Sequence, residues 1–91
     1  MVNEDVIYED ALEKWGIELQ LDMMVEECAE LIQAIIHLKR GGNTEQLIEE
    51  LADVIIMTRQ MTKLYGHEQV GNAVQSKLER LQRRLKEQSD G

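Results

Sequence analysis

The chain has 91 residues, enough for one domain, with a formal net charge of −8 and no proline. This acidic balance argues against a nucleic-acid backbone as the main partner, and no apolar run reaches the length of a membrane span. The N-terminus lacks the form of a signal peptide. Cys28, which has no second cysteine to pair with, favours a reducing, cytoplasmic setting.

Helix-forming residues dominate the composition and no proline interrupts them, so we expect an all-α fold. A first short helix is predicted over about residues 3–15, before Gly16. A second helix covers about residues 18–39 and ends at the pair Gly41–Gly42.

Two more helices follow the glycine pair. The third, capped by Asn43 or Thr44, extends to about residue 65, and the fourth covers about residues 68–86. We treat residues 1–91 as a single domain, with residues 88–91 as a frayed tail.

The few residues between the second and third helices predict an antiparallel helical hairpin. With Gly41–Gly42 as the pivot, Glu27 and Glu30 are centred 13 residues before it, and Glu50 and Asp53 are centred 10 residues after it. At a rise of 1.5 Å per residue, these positions lie about 20 and about 15 Å from the pivot, within one helical turn of each other. The four carboxylates should therefore meet at one level between the two helices.

The helical periodicity puts these carboxylates next to apolar surface. Glu27 flanks the apolar arc of the second helix, Glu50 falls inside the arc of the third, and Asp53 lies at its edge. An unpaired ion on a core-facing stripe is energetically costly, so the carboxylates need compensation. The arc of the second helix comprises Leu21, Met24, Cys28, Leu31, Ile35 and Leu38, and that of the third comprises Leu47, Leu51, Val54, Met57 and Met61.

Three kinds of compensation are open. Basic side chains could neutralise the carboxylates, but those of the hairpin lie mostly near its ends. Proton sharing between the carboxylates is a second possibility and would raise their pKa values. A divalent cation fits best, because clustered carboxylate oxygens suit Mg²⁺ or Mn²⁺. A di-iron site is disfavoured, since neither His37 nor His67 follows a glutamate at the Glu-x-x-His spacing.

The plain alternative is that the acidic pairs belong to solvated helix faces. For Glu26 and Glu49 this interpretation is favoured over a direct ligand role. A solvated helix face does not explain why the other four carboxylates lie beside apolar residues and at similar distances from the glycine pivot. These four are Glu27, Glu30, Glu50 and Asp53.

The chain carries EECAE at residues 26–30 and ELAD at residues 50–53, separated by 19 residues, on two helices of a small acidic protein. This pattern resembles the MazG-like nucleotide pyrophosphohydrolases of the all-α NTP pyrophosphatase superfamily. The resemblance extends from about Trp15 to Arg80. It implies hydrolysis of a nucleoside triphosphate between its α and β phosphates, giving monophosphate and pyrophosphate.

The resemblance also implies roles for the acidic residues. Glu27, Glu30, Glu50 and Asp53 would bind Mg²⁺, with Mn²⁺ as an alternative. Glu26 would support a ligand or orient the attacking water. Such chemistry needs no Ser, Cys or His nucleophile.

Other residues are candidates for substrate contacts. Lys77 and Arg80 match a Lys and an Arg that the family commonly has near this place, although an ordinary basic outer helix face explains them equally well. Trp15 is a candidate for stacking on the base, or else a core or interface anchor. Gln20 occupies a place where members of the family often carry a polar residue that faces the substrate, and Cys28 is expected to be a packed thiol.

The apolar surface of the third helix predicts that the chain assembles with further copies of itself. The third helix is apolar over roughly 200° of its circumference, more than a surface helix needs, which predicts a four-helix-bundle core completed by dimerisation. Family resemblance also implies a homodimer or a dimer of dimers.

The rival functions are hydrolysis of another phosphorylated substrate, such as phosphoribosyl-ATP, and a non-catalytic helical interaction module.

Overall fold

The computed structural model describes residues 2–90 and contains three helices in them, with no strand. Helix α1 spans Glu4–Lys39, α2 spans Glu45–Tyr65 and α3 spans His67–Asp90. The all-α prediction is confirmed. Within the described range, no helix combines the length and the apolar character that crossing a membrane requires.

Helix α1 contains a break where the sequence predicts the boundary between two helices. Gly16 has φ 78° and ψ 169°, a backbone conformation that residues with a Cβ rarely adopt. The predicted first and second helices are therefore consecutive segments of α1, separated by one non-helical residue. At the start of α1, the Asn3 side chain accepts a hydrogen bond from the Val6 N–H at 3.3 Å.

The predicted glycine stop of α1 is a Schellman motif. The N–H of Gly42 donates to the His37 carbonyl and the N–H of Gly41 donates to the Leu38 carbonyl, both at 3.0 Å. Gly41 has φ 95°, which favours glycine at this position. Asn43 then caps α2 by accepting the N–H of Glu45 at 3.2 Å. Five residues, 40–44, separate the two helices.

The boundary between α2 and α3 is at Gly66, which has φ 118°. Helix α3 continues through Asp90, beyond the predicted end near Lys86, and so includes residues 88–90 of the expected tail. Gly91 lies outside the described residues.

The chain forms two compact units, Met1–Gln60 and Met61–Gly91. The first contains α1 and α2 as far as Gln60, which together make the predicted antiparallel hairpin. The second contains the last residues of α2 and all of α3.

A seam of buried and half-buried positions joins α1 to α2. Its members lie three or four residues apart, the pattern of helices that pack side by side. Leu21 and Ile35, which the predicted arc counted as core, are exposed because the seam takes only one narrow stripe of α1. The seam comprises Gln20, Met24, Glu27, Leu31, Ala34 and Leu38 on α1, with Leu47, Glu50, Val54, Met57 and Gln60 on α2.

Candidate metal centre

Four carboxylates converge in the hairpin. Glu27, Glu30, Glu50 and Asp53 each offer one oxygen, and these oxygens all lie within 4.8 Å of one another. Each helix contributes an i,i+3 pair, whose members project from the same side about 4.5 Å apart along the axis. The structure thus brings together the four residues that the sequence spacing predicts to meet.

The cluster has a buried side and an exposed side. Glu27 and Glu50 occupy seam positions and are half-buried, whereas Glu30 and Asp53 are exposed. Glu27 therefore lies on the seam itself, rather than beside the apolar arc as its helical angle predicted. The exposed pair leaves a side from which a ligand can approach.

Two oxygens of the cluster have no hydrogen-bond partner among the described residues. They are Oε2 of Glu27 and Oε2 of Glu50, and both atoms are buried. Buried polar atoms in native proteins almost always have a partner. Two such orphan oxygens in one cluster therefore suit the binding of a positively charged group.

The electrostatics of the cluster are unfavourable for the charged carboxylates. Burial raises the pKa of Glu27, and the charges of Glu30, Asp53 and Glu50 raise it further. Burial also raises the pKa of Glu50, and the adjacent Glu30 carboxylate adds to this shift. Both effects disfavour the ionised form, so the cluster costs free energy near neutral pH unless a cation neutralises it.

The donor set fits a hard divalent cation. All four members are carboxylates, the ligands that Mg²⁺ and Mn²⁺ prefer, and a bound cation would give the two orphan oxygens a partner. Cys28, between Glu27 and Glu30 in sequence, is a half-buried free thiol outside this set.

The neighbouring acidic residues differ from the cluster. Glu26 and Glu49 are each adjacent in sequence to a seam glutamate but are exposed. Their exposure agrees with the solvated interpretation of both side chains, while the proposed supporting role of Glu26 stays a prediction.

The residues predicted to bind substrate lie in different settings. Trp15 ends the first segment of α1 and is 44% exposed, with the Lys14 ammonium 5.4 Å from its ring centre. Gln20 is only 1% exposed and is hydrogen-bonded within the hairpin. Lys77 and Arg80 are exposed on α3, in the second unit, and their contact with phosphate stays a prediction.

Sequence reasoning missed two polar clusters of the first unit. Gln60 is 7% exposed and donates a hydrogen bond from Nε2 to Gln20 Oε1. Glu4 accepts hydrogen bonds from Tyr8 at 2.5 Å and from Arg59 at 3.1 Å. The i,i+4 spacing of Glu4 and Tyr8 is visible in the sequence, but both long-range partners depend on how the helices fold back.

The second cluster borders a cleft of about 320 Å³ between the first segment of α1 and α2. Hydrogen bonds from Tyr8 and Arg59 lower the pKa of Glu4, whereas burial raises that of Tyr8. Glu4, Tyr8 and Arg59 are hydrogen-bonded to one another through Glu4, so this cluster attaches the first segment of α1 to α2. The cleft is lined by Val2, Glu4, Ile7, Tyr8, Ile56 and Arg59.

Comparison with known proteins places this geometry in a family. The sequence model of the MazG nucleotide pyrophosphohydrolase domain matches residues 16–88, which include all four clustered carboxylates. No curated protein and no solved structure matches the chain significantly. The match covers most of the 91 residues, and the chain belongs to the MazG nucleotide pyrophosphohydrolase family.

Proposed function

We propose that this protein hydrolyses a nucleoside triphosphate or deoxynucleoside triphosphate at the α–β phosphate bond, giving a monophosphate and pyrophosphate. The observation that carries the proposal is the four-carboxylate cluster, with its two orphan oxygens, inside the region that matches a nucleotide pyrophosphohydrolase domain. A house-cleaning role in the cytoplasmic nucleotide pool follows from such an activity.

The proposed ligands of Mg²⁺, or of Mn²⁺ in its place, are Glu27, Glu30, Glu50 and Asp53. When bound, the cation supplies neutralisation of phosphate charge and a lowered pKa for water. The protein holds the proposed ligands on two helices, and the exposure of Glu30 and Asp53 leaves one side of the cluster accessible to substrate. Glu26, exposed beside Glu27, supports a ligand or orients the attacking water.

Binding of the triphosphate also needs cationic and apolar contacts from the protein. Lys77 and Arg80 are exposed, charged and three residues apart on α3, which suits two contacts to neighbouring phosphates. Trp15 has an exposed face available for stacking on a base. For Gln20, burial and hydrogen bonding favour a role inside the hairpin over direct contact with substrate.

A homodimer, or a dimer of dimers, is the proposed assembly. Both hairpin helices carry a second apolar stripe away from the seam, and its members are exposed in the single chain. Such two-sided helices are typical of bundles in which a second hairpin covers the outer stripe. The stripes comprise Val25, Ile32 and Ile36 on α1 and Ile48, Leu51 and Ile55 on α2.

The direct test is a screen of all common NTPs and dNTPs with Mg²⁺ or Mn²⁺, with phosphoribosyl-ATP included as the rival substrate. Phosphorus NMR should detect monophosphate and pyrophosphate as the only products. Orthophosphate and a diphosphate as products would contradict cleavage at the α–β bond. Absence of hydrolysis with every substrate would favour the non-catalytic interaction module.

A matched pair of variants connects the activity to the cluster. Glu50→Gln should lower turnover by about 100-fold or more, since even outer-shell partners of metal ligands are worth roughly 10–100-fold. Glu49→Gln makes the same chemical change at the exposed neighbouring position and should keep turnover near that of the wild type. Equal activity of both variants would contradict the ligand assignment.

A further inference from the structure

We propose that Gln20 and Gln60 form a register lock, a buried amide pair that holds α1 and α2 at the one relative height at which the four carboxylates converge. Both are positioning residues in this proposal, because they act through the acidic cluster. The proposal rests on the proposed function for its catalytic consequence. Its structural consequence, the placement of the carboxylates, can be measured without substrate.

The two glutamines are the buried polar side chains of the described chain. Gln20 is 1% exposed and Gln60 is 7% exposed, and the hydrogen bond from Gln60 Nε2 to Gln20 Oε1 crosses from one helix to the other. Gln20 is the most buried large side chain, in a place where an apolar residue would pack without needing a partner. A feature other than core packing therefore explains an amide pair here.

The register of the pair matches the register of the cluster. In two antiparallel helices, residues at the same height have residue numbers with a constant sum. The numbers 20 and 60 of the bonded amides have the same sum as 27 and 53, and as 30 and 50. The alignment of the amide pair therefore sets Glu27 level with Asp53 and Glu30 level with Glu50, which agrees with the convergence of all four carboxylates within 4.8 Å. Gln20 lies only about 10 Å along the axis from Glu27.

The apolar seam does not by itself specify this alignment. Unbranched and aliphatic seam residues such as Met24 and Met57 pack acceptably after a small slide, whereas two buried amides bond only when they face each other. A slide of one turn would break this bond, leaving Gln60 Nε2 without its acceptor and Gln20 Oε1 without its donor. A single polar pair in an apolar seam is known to determine the register of paired helices in this way.

A lock is needed because the cluster opposes its own assembly. Before a cation binds, four carboxylates within 4.8 Å repel one another and favour any slide that separates them. The amide pair is uncharged, lies about two turns away on the same seam, and resists that slide without adding charge to the site.

Gln20 also connects the break in α1. Its Nε2 donates to the Ala11 carbonyl at 3.4 Å, across the non-helical Gly16. One side chain thus joins the first segment of α1, the second segment and α2. Its placement also positions Trp15, which ends the first segment, relative to the hairpin.

The test replaces both amides by a residue of similar length that needs no hydrogen bond. In the double variant Gln20→Met/Gln60→Met, both members of the interhelical hydrogen bond are removed together, and the other loss is the long 3.4 Å bond to the Ala11 carbonyl, so helicity and thermal stability should stay close to those of the wild type. Affinity for Mn²⁺, measured by electron paramagnetic resonance without substrate, should nevertheless fall about 10-fold or more. With substrate, kcat should fall more than KM rises.

Gln33→Met is the matched control, because Gln33 is exposed on α1 and should leave Mn²⁺ affinity unchanged. Should the double variant fail to fold, Gln60→Asn keeps the amide but shortens its reach by one carbon, and it too should weaken Mn²⁺ binding. A folded double variant, or a folded Gln60→Asn, with wild-type Mn²⁺ affinity would overturn the lock. A wild type that binds Mn²⁺ through the cluster but hydrolyses no nucleotide would overturn the proposed function and leave the lock standing.

Discussion

Glu27 and Glu50 occupy positions that a stable two-helix seam normally fills with apolar side chains. Each has one buried oxygen without a hydrogen-bond partner among the described residues, and burial raises the pKa of both. These two residues therefore lower the stability of the metal-free fold, which is typical of residues at sites that bind a ligand. Substitutions in the cluster should therefore change the Tm in opposite directions with and without metal.

Replacing Glu50 by Gln should stabilise the metal-free protein. The change removes one charge from a repelling cluster and keeps the size of the side chain, so the Tm measured in EDTA should rise. Millimolar Mg²⁺ or Mn²⁺ should raise the Tm of the wild type, because a cation held by the proposed ligands would bind only the native cluster, and Glu50→Gln should lose this increase. Circular dichroism melts with and without metal make the comparison. A lower Tm in EDTA would show that Glu50 stabilises the fold.

The difference in Tm between the metal-free wild type and Glu50→Gln should depend on pH in a defined direction. A carboxyl whose pKa is raised by folding contributes stability that is full below its ordinary value of 4.5 and is lost as the pH rises through the raised value. The Tm of the metal-free wild type should therefore fall relative to Glu50→Gln as the pH rises above 4.5. Glu4 should act oppositely, since its lowered pKa makes its contribution present above 4.5 and lost as the pH falls below it.

The measurement is a series of melts in EDTA from acidic to neutral pH, with Glu49→Gln as the control of equal charge change. A gap between wild type and Glu50→Gln that stays constant across this range would contradict the raised pKa. Saturating Mg²⁺ should stabilise most strongly at the higher pH values, where Glu27 and Glu50, whose pKa values are raised, are deprotonated.

At the scale of the helix, glycine has two opposite effects in this chain. Gly16 interrupts α1 at φ 78° and ψ 169°, whereas Gly71 lies inside α3, where an added Cβ would meet no atom within 4 Å. Gly16→Ala should destabilise the protein by about 1–3 kcal/mol, because alanine is strained in that conformation.

Gly71→Ala provides the matched control and should stabilise by roughly 0.5–1 kcal/mol through a lower entropy of the unfolded chain. Urea denaturation measures both free energies of unfolding. Equal effects of the two substitutions would contradict the break in α1 and imply a continuous helix.

Helix α3 carries the predicted contacts to the triphosphate. If Lys77 and Arg80 bind phosphate oxygens, changing either to Ala should raise KM or lower kcat by about 10-fold or more, since charge-assisted hydrogen bonds contribute roughly 1.5–3 kcal/mol. Mn²⁺ affinity without substrate should not change. Arg84→Ala, on the same helix, is the control, and wild-type kinetics in the Lys77→Ala/Arg80→Ala variant would make both residues ordinary surface charges.

For the whole molecule, the decisive quantity is the apolar surface that one chain leaves exposed. Val25 and Ile48 are 68% and 62% exposed, and further aliphatic residues continue both stripes. Sedimentation at micromolar concentration should give at least twice the mass of 10.5 kDa. Ile48→Glu/Ile55→Glu should shift the species towards the monomer, since a charge in an apolar interface is costly. A wild-type monomer that is stable and active would contradict the assembly.

The amino-acid sequence by itself determined the helical class, the glycine boundaries and the meeting of four carboxylates. Each of these depends on local rules: propensity, the φ that Gly16 and Gly41 adopt, and a fixed rise per residue counted from a short loop. The position of Glu27 on the seam, the exposure of Leu21 and Ile35, and the pairing of Gln20 with Gln60 were decided only by the tertiary structure. Periodicity gives the angle of a side chain on its own helix, but burial depends on which narrow stripe the neighbouring helix covers, and that is set by contacts between residues 40 positions apart.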